Sequence, residues 1–285
     1  MTKKEINSKV KNFVFDLDGT LLTTKKVIDN LSIIALKNLQ NKGKKIIFCT
    51  GRAWYYTKKY YSEIKPDYPI ISCNGAMIYD YIKDEVVYAK LFAKSKIEQI
   101  IQILKEKQIT FLIYTTEKML GFSPNKTKGF WFNKLEEYNK SVADDLKNPI
   151  NYYDLLSYDW SNLNNQKIVK FLLVKSDSQE SNFLEAENLI KSIEDIYLVQ
   201  GQKEVVDIML SGFDKGQGLL FLKENYNLNL EETIAFGDAE NDIPMFSQVK
   251  YSVAMGQADP LVREAATFQT DSCDNKGIAN FLKDE

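Results

Sequence analysis

The sequence predicts an α/β fold, a doubly wound parallel sheet interrupted by an inserted α+β domain, and three observations predict it. Short apolar runs recur near both ends of the chain, separated by segments of helical length. Several of those runs stop at polar or glycine residues. Between about residues 84 and 207 the rhythm changes to strands and helices of antiparallel type, before strand–helix alternation resumes at Lys215. Strands joined by helix-length connections form a parallel sheet covered on both faces.

The first strand is Phe13-Val14-Phe15. Ile28, Leu31, Ile34, Ala35 and Leu39 fall at helical spacing and predict a helix over Ile28 to Asn41, closed by Gly43. Lys45-Ile46-Ile47-Phe48-Cys49 is the second strand and ends at Thr50-Gly51-Arg52. After another helical stretch, Pro69-Ile70-Ile71-Ser72-Cys73 is the third, ending at Asn74-Gly75. Within the insertion, Glu85 to Ala89 reads as an antiparallel-type strand, Ser95 to Lys107 as an amphipathic helix and Phe111 to Tyr114 as a strand. Thr115 to Asn165 is a polar, aromatic stretch. Its run Phe130, Trp131 and Phe132 is expected to be mainly core, with a substrate-facing role for one of them as the alternative, because consecutive aromatics cannot all point inward on regular structure. Lys167 to Val174 is a strand, Asn182 to Ile193 a helix, and Ile196 to Val199 and Glu204 to Met209 two further strands. The closing segment offers a helix over Leu219 to Glu224, then strand Thr233 to Phe236 ending at Gly237-Asp238, then Tyr251 to Ala254 ending at Met255-Gly256. Residues 1–83 and 208–285 are therefore expected to form one domain and 84–207 the inserted one.

With 285 residues, 44% of them hydrophobic, the chain can build one large core or two modest ones. Lys plus Arg number 37 against 39 Asp plus Glu, a net charge of −2, so no single-sign excess points to a nucleic-acid polymer or a membrane surface. Met1 to Lys11 is polar and basic, without an apolar leader, and a soluble cytoplasmic protein is expected. Cys49, Cys73 and Cys273 lack metal-ligand spacing and are expected to be buried free thiols. The chain contains no histidine. That excludes Ser-His-Asp and Cys-His mechanisms, a histidine phosphointermediate, and zinc held by imidazole. A metal must then be held mainly by oxygen, which selects hard ions such as Mg²⁺. Carboxylates, lysines and hydroxyls are left to act as nucleophile, acid and base.

Asp16-Leu17-Asp18-Gly19-Thr20 follows the first strand directly. Two carboxylates so close raise each other's pKa, and a bound cation relieves the repulsion. A solvated Asx turn is the alternative reading of that segment alone. In open parallel α/β sheets, ligands sit beyond the carboxyl ends of the strands. Those ends carry Asp16 and Asp18, Thr50 and Gly51, Asn74 and Gly75, and Asp238, Asn241 and Asp242, with Lys215 as a source of positive charge. Taken singly, Thr50-Gly51 reads equally as a helix cap, Lys215 as a solvated lysine, and Asp242 as a charge at a helix N-terminus.

Four motifs in this order resemble those of the haloacid dehalogenase superfamily, specifically its Cof-like phosphatases with a large α/β cap. They are Asp16-Leu17-Asp18-Gly19-Thr20, Thr50-Gly51-Arg52, Lys215-Gly216 and Gly237-Asp238-Ala239-Glu240-Asn241-Asp242. Asn74-Gly75-Ala76 and the long gap before Lys215 also fit. Two departures stand out: Met209 to Asp214 lacks the proline frequent in relatives, and Asp214 places an extra negative charge beside Lys215.

The resemblance implies a Rossmann-like core with a cap that selects substrate, and a Mg²⁺-dependent phosphatase acting on small soluble organophosphates. It implies Asp16 as nucleophile forming a phosphoaspartate, and Asp18 as general acid and then base, able to hold a proton when its side chain is not metal-bound. Thr50, the Gly51 amide and the Leu17 amide would hold phosphoryl oxygens, with Asn241 a further phosphate contact and Lys215 balancing charge. Asp16, the backbone carbonyl of Asp18, and Asp238 would bind Mg²⁺, with Asp242 in the metal shell or orienting the lysine. Arg52 reads as structural. A phosphotransferase or sugar phosphomutase of the same fold, and a non-catalytic phosphometabolite sensor, are the competing readings. A monomer or weak homo-oligomer is expected.

Overall fold

The computed structural model describes residues 9–127 and 129–283, so most of the N-terminal stretch expected to lack an apolar leader lies outside the described residues. The chain divides into two compact units. One is built from the segments up to Tyr88 and from Phe213, the other from Ala89–Gly212. The crossings anticipated at 83/84 and 207/208 lie a few residues further along: strand β5 (Glu85–Ala89) begins only after the first, and strand β11 (Val205–Leu210) runs across the second.

The discontinuous unit contains β1 (Asn12–Phe15), β2 (Lys45–Phe48), β12 (Thr233–Gly237), β13 (Tyr251–Ala254) and β14 (Phe268–Gln269). They form a wholly parallel sheet in the order β14-β13-β12-β1-β2. Register sets Phe13 between Ile46 and Ile234. Phe13, Phe15, Ile46, Phe48, Ile234 and Phe236 enter one apolar cluster, while Val14, Ile47, Cys49, Ala235 and Ala254 enter another. Burial on both faces explains why these strands read as unbroken apolar runs. Cys49, Cys73 and Cys273 are all buried.

Two expectations for this unit need correction. The helix runs Asn30–Asn41, and Asp29 caps it by accepting from the N–H groups of Leu31 and Ser32. Its buried residues are Ser32, Leu36 and Leu39, whereas Ile34 is 55% exposed. At 3.6 residues per turn Ile34 lies well round the helix from Leu39, so the apolar set inferred from spacing spans more than one face. The third strand, β3 (Ile70–Ser72), lies outside the parallel sheet's ladder and is joined to it by the isolated parallel Cys49–Ile71 bridge. It pairs antiparallel with β4 (Met77–Asp80), and β5 completes a separate three-stranded sheet. The Asn74-Gly75 turn reverses the chain at β3, which is why the parallel pattern stops there.

The inserted unit holds β6 (Phe111–Thr115), β7 (Met119–Ser123), β8 (Ile150–Asp154), β9 (Ile168–Val174) and β10 (Ile196–Gln202) with β11. Their order is β10-β11-β9-β6-β7-β8, and every pairing is antiparallel except β7 with β8. Helices Lys94–Glu106 and Glu180–Lys191 pack their apolar stripes on the face that presents Phe111, Phe171 and Ile208. Trp131 and Phe132 are buried on helix Phe130–Ser141, whereas Phe130 is 57% exposed, as a helix presenting three successive aromatics requires. Among the described residues no helix is long and apolar enough to cross a membrane.

Candidate active site

Strand pairing brings the first acids together. Asp16 follows β1, and its N–H donates to the Phe236 carbonyl at 3.0 Å, so it stands beside the end of β12 where Asp238 begins the next loop. Gly19, at φ +81°, makes the turn after Asp18, and a Cβ there would lie 2.2 Å from Asp238 Oδ2. Only glycine permits both that backbone and that approach. The Thr20 hydroxyl donates to Asp238 Oδ1 at 3.0 Å, and Gln257 Nε2 lies 3.4 Å from Oδ2. Leu17 is fully buried in this turn, its carbonyl accepting from the Leu22 N–H at 2.8 Å.

Lys215 opens helix Lys215–Tyr226. The Asp214 carboxylate, flagged by the sequence as an added charge, caps that helix by accepting from the Gln217 N–H at 2.9 Å. Lys215 is 1% exposed, and its Nζ donates to Asp16 Oδ1 and Asp242 Oδ1, each at 2.6 Å. Asp242 Oδ2 accepts from the N–H groups of Asp238 and Ala239 at 2.9 and 3.0 Å. Both oxygens of Asp242 therefore serve the protein: one shapes the Asp238 loop and the other orients the lysine.

Asp16, Asp238 and Asp242 offer ligand oxygens that all lie within 4.8 Å of one another. Burial raises the Asp16 pKa well above the usual carboxylate range; Lys215 opposes this, and Asp242 and Asp238 reinforce it. Burial and the Asp242 charge push Asp238 up to about 7. Burial alone would lower the Lys215 pKa, but Asp16 and Asp242 outweigh it and hold the ammonium above the usual lysine range. Once deprotonated, three carboxylates against one ammonium leave two negative charges, and the donors are all oxygen. A divalent hard cation fits that set by charge and by ligand type.

Asp18 departs from expectation. Arg52 Nε and Nη2 donate to its two carboxylate oxygens at 2.5 and 2.7 Å, and Lys26 Nζ donates at 2.7 Å. The guanidinium lies 4.5 Å from the ring centroid of Tyr56 and 5.2 Å from that of Tyr60. Burial alone would raise the Asp18 pKa, but this clamp holds it well below the carboxylate range. This clamp favours the ionised form of Asp18, the opposite of what a proton donor needs. Its side chain is also not part of the acidic cluster, which leaves its main-chain carbonyl for a metal role.

Thr50 is 1% exposed; its N–H donates to the Ile71 carbonyl at 2.8 Å and its Oγ1 accepts from the Arg52 N–H at 3.2 Å. Gly51 lies against Asn74, since a Cβ on it would stand 2.9 Å from Asn74 Oδ1. Asn241 Nδ2 donates to the same Oδ1 at 3.0 Å. The fold thus gathers all the expected positions at one end of the parallel sheet. Sequence reasoning did not foresee the Arg52–Lys26 clamp or the contacts of Thr20 and Gln257 with Asp238. For Arg52 a signal was present, since it directly follows Thr50-Gly51; Gln257 offered none, being 19 residues from Asp238 in a different loop.

The family described as haloacid dehalogenase-like hydrolase matches residues 13–282 of this chain. MG265 of Mycoplasma genitalium, a protein named provisionally as a phosphatase, is 34% identical over 96% of this chain and 98% of its own length. The pyridoxal phosphate phosphatase YbhA of Escherichia coli is 29% identical over 94% of this chain and 95% of its own. Among solved structures, a haloacid dehalogenase-like hydrolase from Bacteroides thetaiotaomicron superposes with a TM-score of 0.80 at 23% identity, covering 96% of this chain and 98% of that one.

Proposed function

The chain belongs to the haloacid dehalogenase-like hydrolases, and on that premise we propose that it is a cytoplasmic, Mg²⁺-dependent phosphatase of small soluble organophosphates. The observation that carries this reading is the buried Asp16–Lys215–Asp242 chain beside Asp238 at the ends of β1 and β12. Asp16 is the nucleophile: its carboxylate attacks phosphorus and the ester oxygen leaves. Lys215, already 2.6 Å from Asp16, holds positive charge beside the transferring group. Asp242 orients that ammonium. The Thr50 hydroxyl, the amides of Leu17 and Gly51, and Asn241 receive the phosphoryl oxygens.

Asp16, Asp238 and the main-chain carbonyl of Asp18 would hold Mg²⁺, which when bound offsets negative charge on the carboxylates and the phosphoryl group. Asp18 is the acid that protonates the leaving oxygen and the base that later activates water. To do so its side chain must leave Arg52 and Lys26, because the clamp favours its ionised form. The inserted unit contains none of the four motifs and is proposed to set substrate selectivity.

Hydrolysis of a generic aryl phosphate tests the reading. Activity should vanish with EDTA and return with Mg²⁺, and Asp16→Asn should remain folded yet lose turnover by many powers of ten. Full activity without metal, or Asp16→Asn within about tenfold of wild type, contradicts it.

A further inference from the structure

We propose that Asn74 is a positioning residue that fixes the carboxamide of Asn241 so that one of its N–H groups meets a phosphoryl oxygen; the proposal rests on the phosphatase reading above. The backbone comes first. After β3 the chain takes three successive left-handed residues, Cys73 at φ 49°, Asn74 at φ 54° and Gly75 at φ 90°. For a residue with a side chain this region costs about 1–2 kcal/mol, with asparagine among the most tolerant. Such runs persist where the surroundings over-determine them. Here the Cys73 N–H donates to the Arg52 carbonyl at 2.9 Å and the Asn74 N–H to the Thr50 carbonyl at 3.0 Å. Gly75 lies so close to the Asp214 carbonyl that a Cβ would stand 1.9 Å from its oxygen. The turn is therefore tied to the Thr50–Arg52 segment on one side and to the cap of the Lys215 helix on the other.

That placement leaves Asn74 only 2% exposed, between Gly51 and Asn241. Its Oδ1 accepts from Asn241 Nδ2 at 3.0 Å. An amide nitrogen carries two hydrogens, so a second N–H of Asn241 is left to donate. The other half of that amide, Oδ1, is buried and has no hydrogen-bonding partner among the described residues. A buried, unsatisfied acceptor costs about 1–3 kcal/mol, so Asn241 alone would turn its oxygen toward a donor. Asn74 opposes the turn, because it would set oxygen against oxygen. The acceptor on Asn74 thereby holds Asn241 with its nitrogen forward, and an anion is the ligand that gains from it. No group on Asn74 needs to touch the reacting atoms.

Asn74→Gly removes the amide while permitting the left-handed backbone. KM for the aryl phosphate and the inhibition constant of inorganic phosphate should each rise by about tenfold, with kcat changing by less than about threefold. Asn241→Ala should do the same, and the double variant should be no worse than Asn241→Ala alone, since removing an orienter has no effect once its target is gone. Losses that multiply in the double variant, a fall in kcat at unchanged KM, or unaltered phosphate affinity in Asn74→Gly would overturn the proposal. If Asn74→Gly lacks a cooperative urea transition, Asn74→Ala is read in its place with the same expectations. Calorimetric titration with inorganic phosphate reads the coupling without turnover. Coupled phosphate binding by a wild-type protein that hydrolyses no ester would overturn the phosphatase reading alone, whereas no phosphate binding at all would overturn both.

Discussion

Asp238 sits where burial and charge set how the site answers pH. Its carboxyl, pushed up to about 7 by burial and by Asp242, binds a proton in the folded protein that the unfolded chain releases near its ordinary value of 3.8. The resulting stability is fully present below the unfolded pKa and is lost as pH rises toward 7. Mg²⁺ held there as proposed would compete with that proton, so it should bind and stabilise better above pH 7 than below. The rise in Tm on adding Mg²⁺ to EDTA-treated protein should be larger at about pH 8 than at about pH 6, and an equal rise at both would contradict the account. The positions of Asp16, Asp238 and Lys215 were legible because short motifs at strand ends leave little freedom in where a side chain lands. The clamp on Asp18 was not. Arg52 and Lys26 reach it from 34 and 8 residues away with long, flexible side chains, and local spacing says nothing about where such chains converge.

Among the elements, the turn joining β3 to β4 is the one whose geometry reaches furthest into the site. Gly75 combines a φ of +90° with the 1.9 Å approach of a virtual Cβ to the Asp214 carbonyl oxygen, a backbone atom that cannot swing aside. Gly75→Ala should therefore cost about 2 kcal/mol or more in urea unfolding and lower turnover, since Asp214 immediately precedes Lys215. A variant as stable and active as wild type would contradict this close packing. Strands β1, β2, β12 and β13 were legible because burial on both faces makes continuous apolar runs. β4 was missed because it follows the turn directly, with no helix-length segment ahead of it to set it apart. β7, β8 and helix Phe130–Ser141 were hidden in a stretch rich in Asn, Lys and Tyr, whose pairings, such as Met119 with Ile150, are set by tertiary contact.

In the whole molecule, all four motifs lie in the discontinuous unit, and the inserted unit has a separate apolar core. If selectivity belongs to the insertion, Tyr114→Ala should change kcat/KM unevenly among substrates, by about 1–3 kcal/mol where it matters, in protein shown by circular dichroism to be folded. Lys215→Ala should instead lower turnover of every substrate by about 10²–10³-fold if, as proposed, the lysine acts on the phosphoryl group they share. Equal losses from Tyr114→Ala on all substrates would make the insertion a structural element only. The division into two units follows the sequence where the strand–helix rhythm breaks and resumes; the crossings fall a few residues later because β5, which begins beyond the first expected boundary, extends to the division at Tyr88 and Ala89, and β11 runs through the second without a sequence break. The central claim is a covalent phosphoryl-enzyme on Asp16, and acid quenching during steady-state turnover, followed by mass spectrometry of the peptides, tests it most directly. The account predicts one added phosphoryl group on the peptide carrying Asp16, absent from Asp16→Asn. Full turnover with no phosphorylated peptide, or with the phosphoryl group on another residue, would contradict it.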